Sequence, residues 1–231
     1  AVSMQRRVVL HGGGIAAGAG GVGGIALRKW IGGAGGFAGD ERFAGGDTAV
    51  LELVRLFFCK HLRRLPESAG IVFGGGFPRG EGVIERQAAQ RAIYHVQREL
   101  ETTGDVDSAA IVLCDRGTVD GSAYWMGPGD LWSAVGTTQR AELERYHAVI
   151  HLRTPTGDGG YERSNRLRIE SAAEAHDIDE KIFEAWAPHS RRFVVEASED
   201  FLTKAARTLD VLRAEMPECC RHHVTPLVAS P

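Results

Sequence analysis

Five short candidate strands, most of them apolar runs, punctuate this chain. They are Arg7–His11, His61–Leu65, Ala109–Cys114, Ala148–Leu152 and Phe193–Ala197. Their length and branching predict buried strands, and Ala109–Cys114 reads as the central one. Between these runs the apolar positions change to helical spacing. Val50, Leu51, Val54, Phe57 and Phe58 predict a helix over Thr48–Phe58. Glu81–Thr103 reads as a long polar helix, and Asp130–Val135 and Gln139–Arg145 as short ones. Leu167–Trp186 reads as a charged helix and Phe201–Met216 as a final amphipathic one. Strands alternating with helices predict an α/β fold, a parallel sheet of about five strands covered on both faces.

Composition adds one anomaly to this pattern. A chain of 231 residues suits a single domain over 1–231, with residues 217–231 as a tail. Half of its 30 glycines fall between Gly12 and Gly46. Residues 14–44 therefore have little apolar surface to bury and much backbone entropy to lose, which predicts a mobile insertion. A net charge of −3 supplies no basic field for nucleic acid. No apolar run reaches the length of a membrane span, and the start lacks the charged-then-apolar order of a secretion signal. Cys59, Cys114, Cys219 and Cys220 fit neither a disulfide framework nor zinc-ligand spacing. A reducing, cytoplasmic setting is expected.

Candidate chemistry collects where the predicted strands end. Asp115 and Arg116 follow a buried run and Gly117 closes it, which puts an acid and a base in the crevice where open α/β sheets bind ligands. Such a pair suits a cation and a phosphate; an ordinary surface ion pair is the competing reading. The first strand runs into Gly12-Gly13-Gly14, as phosphate-binding loops and dinucleotide-binding turns both begin.

In the order of these landmarks the chain resembles P-loop nucleotide-kinase-type AAA domains, the ATPase and kinase domains related to the bacterial ribosylnicotinamide kinase. The residues that carry the resemblance are Val8-Val-Leu-His-Gly-Gly13, Thr48-Ala-Val-Leu-Glu-Leu, Leu65-Pro-Glu-Ser-Ala69, Cys114-Asp-Arg-Gly117 with Asp120-Gly-Ser-Ala-Tyr124, and Arg192-Phe-Val-Val195. It covers nearly everything outside 14–44. The resemblance implies ATP or GTP bound with Mg²⁺ and a phosphoryl group transferred to a small-molecule acceptor or to water. It implies that Gly12, Gly13, Gly45 and Gly46 cradle phosphates and that Thr48 and Asp115 hold the metal. Thr48 also suits a plain helix N-cap. Arg116 then contacts phosphate or substrate, and Glu67 lies near the acceptor, unless it is only an exposed loop residue. Residues 154–190 correspond to a helical lid in which Arg163 and Arg166 meet the transferring phosphates; a solvated charged face is the alternative. Arg192 is a further contact to the nucleotide. Trp125, Trp132 and Trp186 read as packing.

The phosphate-loop string Gly-x-x-x-x-Gly-Lys-Ser/Thr is absent from the sequence. Joining Gly13 to Ala44 brings Ala-Gly-Gly-Asp-Thr48 into place, with Asp47 at the lysine position. A carboxylate there reverses the charge facing the phosphates, so a catalytically inactive nucleotide-binding or interaction module stands beside the enzyme. Lys29 is a possible substitute cation from within the insertion. Gly18-Ala-Gly20-Gly-Val-Gly23 with Asp40 also matches a dinucleotide-binding fingerprint, but the match lies in a glycine-saturated stretch and does not follow a strand directly.

Overall fold

The computed structural model describes residues 6–12, 62–105, 111–153, 172–196, 201–216 and 218. The expected helix at 48–58, the 14–44 segment, residues 154–171 of the lid region and all but Glu218 of the 217–231 tail lie outside the described residues.

Among the described residues five strands form one sheet: β1 (Arg6–Gly12), β2 (Leu62–Leu65), β3 (Ile111–Asp115), β4 (Ala148–Leu152) and β5 (Arg192–Val195). Their spatial order is β2-β3-β1-β4-β5, and every neighbouring pair is parallel. The α/β architecture is the expected one, with one correction. β1, not β3, is the central strand, and β3 lies between it and the edge strand β2. Local apolarity marks a strand as buried on both faces, and β1, β3 and β4 all are. It cannot rank them across the sheet.

Strand residues alternate between two cores, as a period of two requires. Val8, Leu10, Ile111, Leu113, Ile150 and Leu152 face α6 (Phe201–Glu215), whose Ala205, Leu209 and Leu212, with Met216 just beyond it, follow at helical spacing. Val9, Val112, Cys114 and Val149 face the other way, against Val119, Leu143, Tyr146, Ile182 and Trp186. That second layer holds α2 (Val83–Asp105), a 3-10 helix (Thr118–Tyr124), α3 (Leu131–Val135), α4 (Gln139–Leu143) and α5 (Ala172–Ala185). A short α1 (Ser68–Gly74) starts directly after β2, where the sequence had indicated only a strand end. Asp130 and Thr138 cap α3 and α4 by accepting the Ser133 and Ala141 amides. Among the described residues no helix is long and apolar enough to cross a membrane.

Register fixes what shares an edge. Leu10 lies opposite Asp115, Gly12 opposite Leu152, Leu65 opposite Cys114 and Leu152 opposite Val195. The chain therefore leaves β1, β2, β3 and β4 on one side of the sheet. β1 leads towards β2 and β4 towards β5, in opposite directions, so the switch point of the topology lies between these two neighbours, with the end of β3 beside it.

Candidate functional site

At the switch point β1 ends in Gly12, and one strand away β3 ends in Asp115. Asp115 is only 6% exposed. Arg116, half-buried, has φ of +76°, a left-handed conformation uncommon outside glycine, asparagine and aspartate. Its amide donates to the Leu10 carbonyl at 3.1 Å, so the β1–β3 ladder continues one step into the turn. Gly117 follows with ordinary extended dihedrals (φ −120°, ψ 168°). Glycine is required here for space: a Cβ would stand 2.7 Å from Cζ2 of Trp186 and 3.2 Å from Cγ2 of Val9.

The 3-10 helix after this turn is held by buried polar groups. Thr118 donates its amide to the Tyr146 hydroxyl (2.8 Å) and its hydroxyl to Oε2 of Glu142 (2.8 Å). Tyr146 in turn donates to Oε1 of Glu101 (2.7 Å). Glu101 and Glu142 are almost wholly buried. Gln97 and Arg145 serve Glu101; Tyr94, Thr137, Arg98 and Arg145 serve Glu142. Burial alone would raise the Glu142 pKa, but the hydrogen bonds of Thr118 and Tyr94, the Arg145 charge and the Thr137 bond outweigh it. They hold the carboxyl below its usual range. Burial first, and then the charge on Glu101, push the Tyr146 hydroxyl well above its usual range.

Glu67 stands two residues beyond β2, half-buried, at the N-cap position of α1 without capping it through its side chain. Gly12, Glu67, Asp115 and Arg116 are thus brought to one edge. Arg192 is not: it opens β5 at the opposite end of the sheet, opposite Val149. Its guanidinium donates to the Phe183 carbonyl at 2.6 Å and lies 4.0 Å from the Phe183 ring centroid. Burial and then the nearby Arg153 charge lower its pKa. Gly13, Gly45, Gly46, Thr48, Arg163 and Arg166 lie outside the described residues, as does Asp47.

Sequence reasoning missed the end of β4. His151, fully buried, lies 2.9 Å from Oδ1 of Asp179 on α5. Arg153, the residue after the strand, pairs with Asp179 (3.2 Å) and Glu180 and stacks 4.6 Å from the Phe183 centroid. The buried Lys204 donates to the Arg153 carbonyl at 2.6 Å. The available signal was the one used for Asp115, a charge directly after a buried strand.

No group of three or more His, Cys, Asp or Glu able to hold a metal occurs among the described residues. A single strand-end carboxylate is instead the donor pattern of Mg²⁺, which keeps several waters and relies on one or two carboxylates plus substrate phosphates.

A comparison with curated proteins finds no match. A protein-family model described as the AAA domain matches residues 48–204, more than half of the chain. With the five-stranded parallel sheet, that match makes the chain a member of the AAA domain family, a nucleotide-binding domain of the P-loop NTPase type.

Proposed function

We propose that this single domain binds ATP or GTP with Mg²⁺ at the carboxyl edge of its sheet. There it transfers the terminal phosphoryl group to a small-molecule acceptor or to water, as the related ribosylnicotinamide-kinase-type domains do. The observation that carries the reading is the register of β1 and β3, in which Leu10 pairs with Asp115. The glycine exit of one strand thereby opens beside the acid that ends the other. Bound Mg²⁺ would offset phosphate charge and polarise the phosphoryl group.

In this reading Asp115 and Thr48 hold the metal, and Gly12, Gly13, Gly45 and Gly46 offer backbone amides to phosphate oxygens. Arg116 meets a phosphate, Glu67 faces the acceptor, and Arg163 and Arg166 approach from the lid region. Arg192, which opens β5 and donates to the Phe183 carbonyl, is the further nucleotide contact that the resemblance implies. The chain acts in the cytoplasm and without nucleic acid. Asp47 at the lysine position weakens binding and slows transfer: at ~4 Å and an effective dielectric of ~20, two like charges oppose each other by about 4 kcal/mol before metal screening.

Calorimetry with Mg·ATP and Mg·GTP on wild type, Asp115→Asn and Asp47→Lys tests the reading. Weak wild-type binding is expected, about tenfold weaker in Asp115→Asn and tighter in Asp47→Lys, since a charge-assisted contact is worth about 1.5–3 kcal/mol. Wild-type binding left unchanged by both substitutions would mean that the phosphate site lies elsewhere.

A further inference from the structure

We propose that Asp120 and Trp186 are positioning residues that together hold the Asp115–Arg116 turn in its left-handed form. The nucleotide reading above enters only in what that turn contacts. The starting point is Arg116 at φ +76°. Glycine would adopt this conformation freely, so an arginine there must be held by its surroundings.

The holding contacts meet on the next residues. Oδ2 of Asp120 accepts the Gly117 amide at 3.4 Å, and the Asp120 amide donates back to the Gly117 carbonyl at 3.2 Å. The other oxygen, Oδ1, accepts the indole N–H of Trp186. Asp120 is 5% exposed and Trp186 fully buried, so neither bond has ready competition from solvent. The same indole packs against the bare Cα of Gly117 and meets Tyr146 edge-on, ring centroids 5.2 Å apart. One carboxylate thus ties the turn to an indole 66 residues away, just beyond α5. An apolar residue at 120 could fill the volume but could not accept two N–H groups in fixed directions. Direction matters for a strand-end acid and base that must meet a metal and a phosphate together.

Amide hydrogen exchange and calorimetry on Asp120→Asn and Trp186→Phe test the clamp; the second variant keeps most of the packing and removes the indole donor. The Arg116 amide, bonded to Leu10, is expected to exchange at least about tenfold faster in both variants, as loss of a bond to a charged group implies. The Val149 amide, bonded to Arg191 across the sheet, should keep its rate. Mg·ATP affinity should fall about tenfold and by more than ATP affinity in EDTA, because the turn carries the metal-side acid as well as the phosphate contact. Wild-type exchange at Arg116 in both variants overturns the proposal. So does an equal loss of protection at Arg116 and Val149, which would make the pair general packing. If the wild type binds neither Mg·ATP nor Mg·GTP, the nucleotide reading fails and exchange alone decides the clamp.

Discussion

Tyr146→Phe removes the oxygen atom that accepts a buried backbone amide, and its cost can be worked from the structure. The hydroxyl accepts the Thr118 amide at 2.8 Å and donates to Glu101 at 2.7 Å. Tyr146 is 4% and Thr118 3% exposed. The variant loses a charge-assisted bond, worth about 1.5–3 kcal/mol, and strands a buried amide, about 1–3 kcal/mol more, for a total of roughly 2.5–6 kcal/mol. Tyr94→Phe is the control. Its hydroxyl donates to Glu142 at 2.8 Å, but Glu142 keeps Thr118, Thr137 and Arg98. The group that donates to Tyr94, Arg98, has a side chain 41% exposed and reaches water. That loss should be about 1–2 kcal/mol.

Urea unfolding followed by circular dichroism measures both variants, with the slope checked so that a change in midpoint reports stability alone. In thermal melts the larger loss corresponds to a midpoint lower by roughly 5–24 °C for a domain of this size. Equal losses in the two variants would refute the reasoning, because they would mean that the Thr118 amide finds another partner when the hydroxyl is gone.

Acid should act through Glu142. Its folded pKa lies below the usual 4.5, so its stabilisation is present above that value and disappears as pH falls through the depressed one. Urea midpoints taken from about pH 6 down to about pH 3 should fall more steeply in wild type than in Glu142→Gln, and parallel curves would remove the group from the account. Gly117→Ala should cost about 1–3 kcal/mol by overpacking against Trp186 and Val9, with no conformational penalty at its extended dihedrals. Adding Trp186→Phe, which lacks the clashing Cζ2, should recover part of that loss in thermal melts. Simple additivity of the two would show that the contact is not the cause.

How much of this was legible in the sequence depends on the distance over which each feature is encoded. A strand buried on both faces is a continuous apolar run, and Ala148–Leu152 was read to the residue. A residue directly after a parallel strand lands on the carboxyl edge wherever the strand lies in the sheet, which is why Asp115, Glu67 and Gly12 could be placed together. Arg192 came from the resemblance's late arginine-rich segment, and the register sets its backbone at the amino end of β5. α1 gave no warning, since Ser68–Gly74 is short, carries an exposed Ile71 and runs into glycines. The supports of the turn were hidden more deeply. Gln97 was among the residues that made Glu81–Thr103 read as a polar helix, yet it and Glu101 one turn on are buried. Their reason for being there, Tyr146 and Arg145, lies more than forty residues on.

Two sets of contacts, joined where Tyr146 meets Trp186, converge on the residues after Asp115 and Arg116. The Glu101–Tyr146 and Glu142 bonds reach Thr118, and the Trp186–Asp120 contact reaches Gly117. Burying carboxylates costs several kcal/mol each before partners offset it, and apolar residues of equal volume often give the same or greater stability. Stability alone therefore does not account for Glu101, Glu142 and Asp120 in this layer. Their shared property is direction. Glu142 fixes the Thr118 hydroxyl and Asp120 the Gly117 amide, while Glu101 orients the Tyr146 hydroxyl that accepts the Thr118 amide, and the turn they fix carries the arginine held at positive φ among the described residues. Apolar packing opposite β3 would hold the layer together but would leave that turn free to relax, and with it the alignment of Asp115 beside the glycine exit of β1.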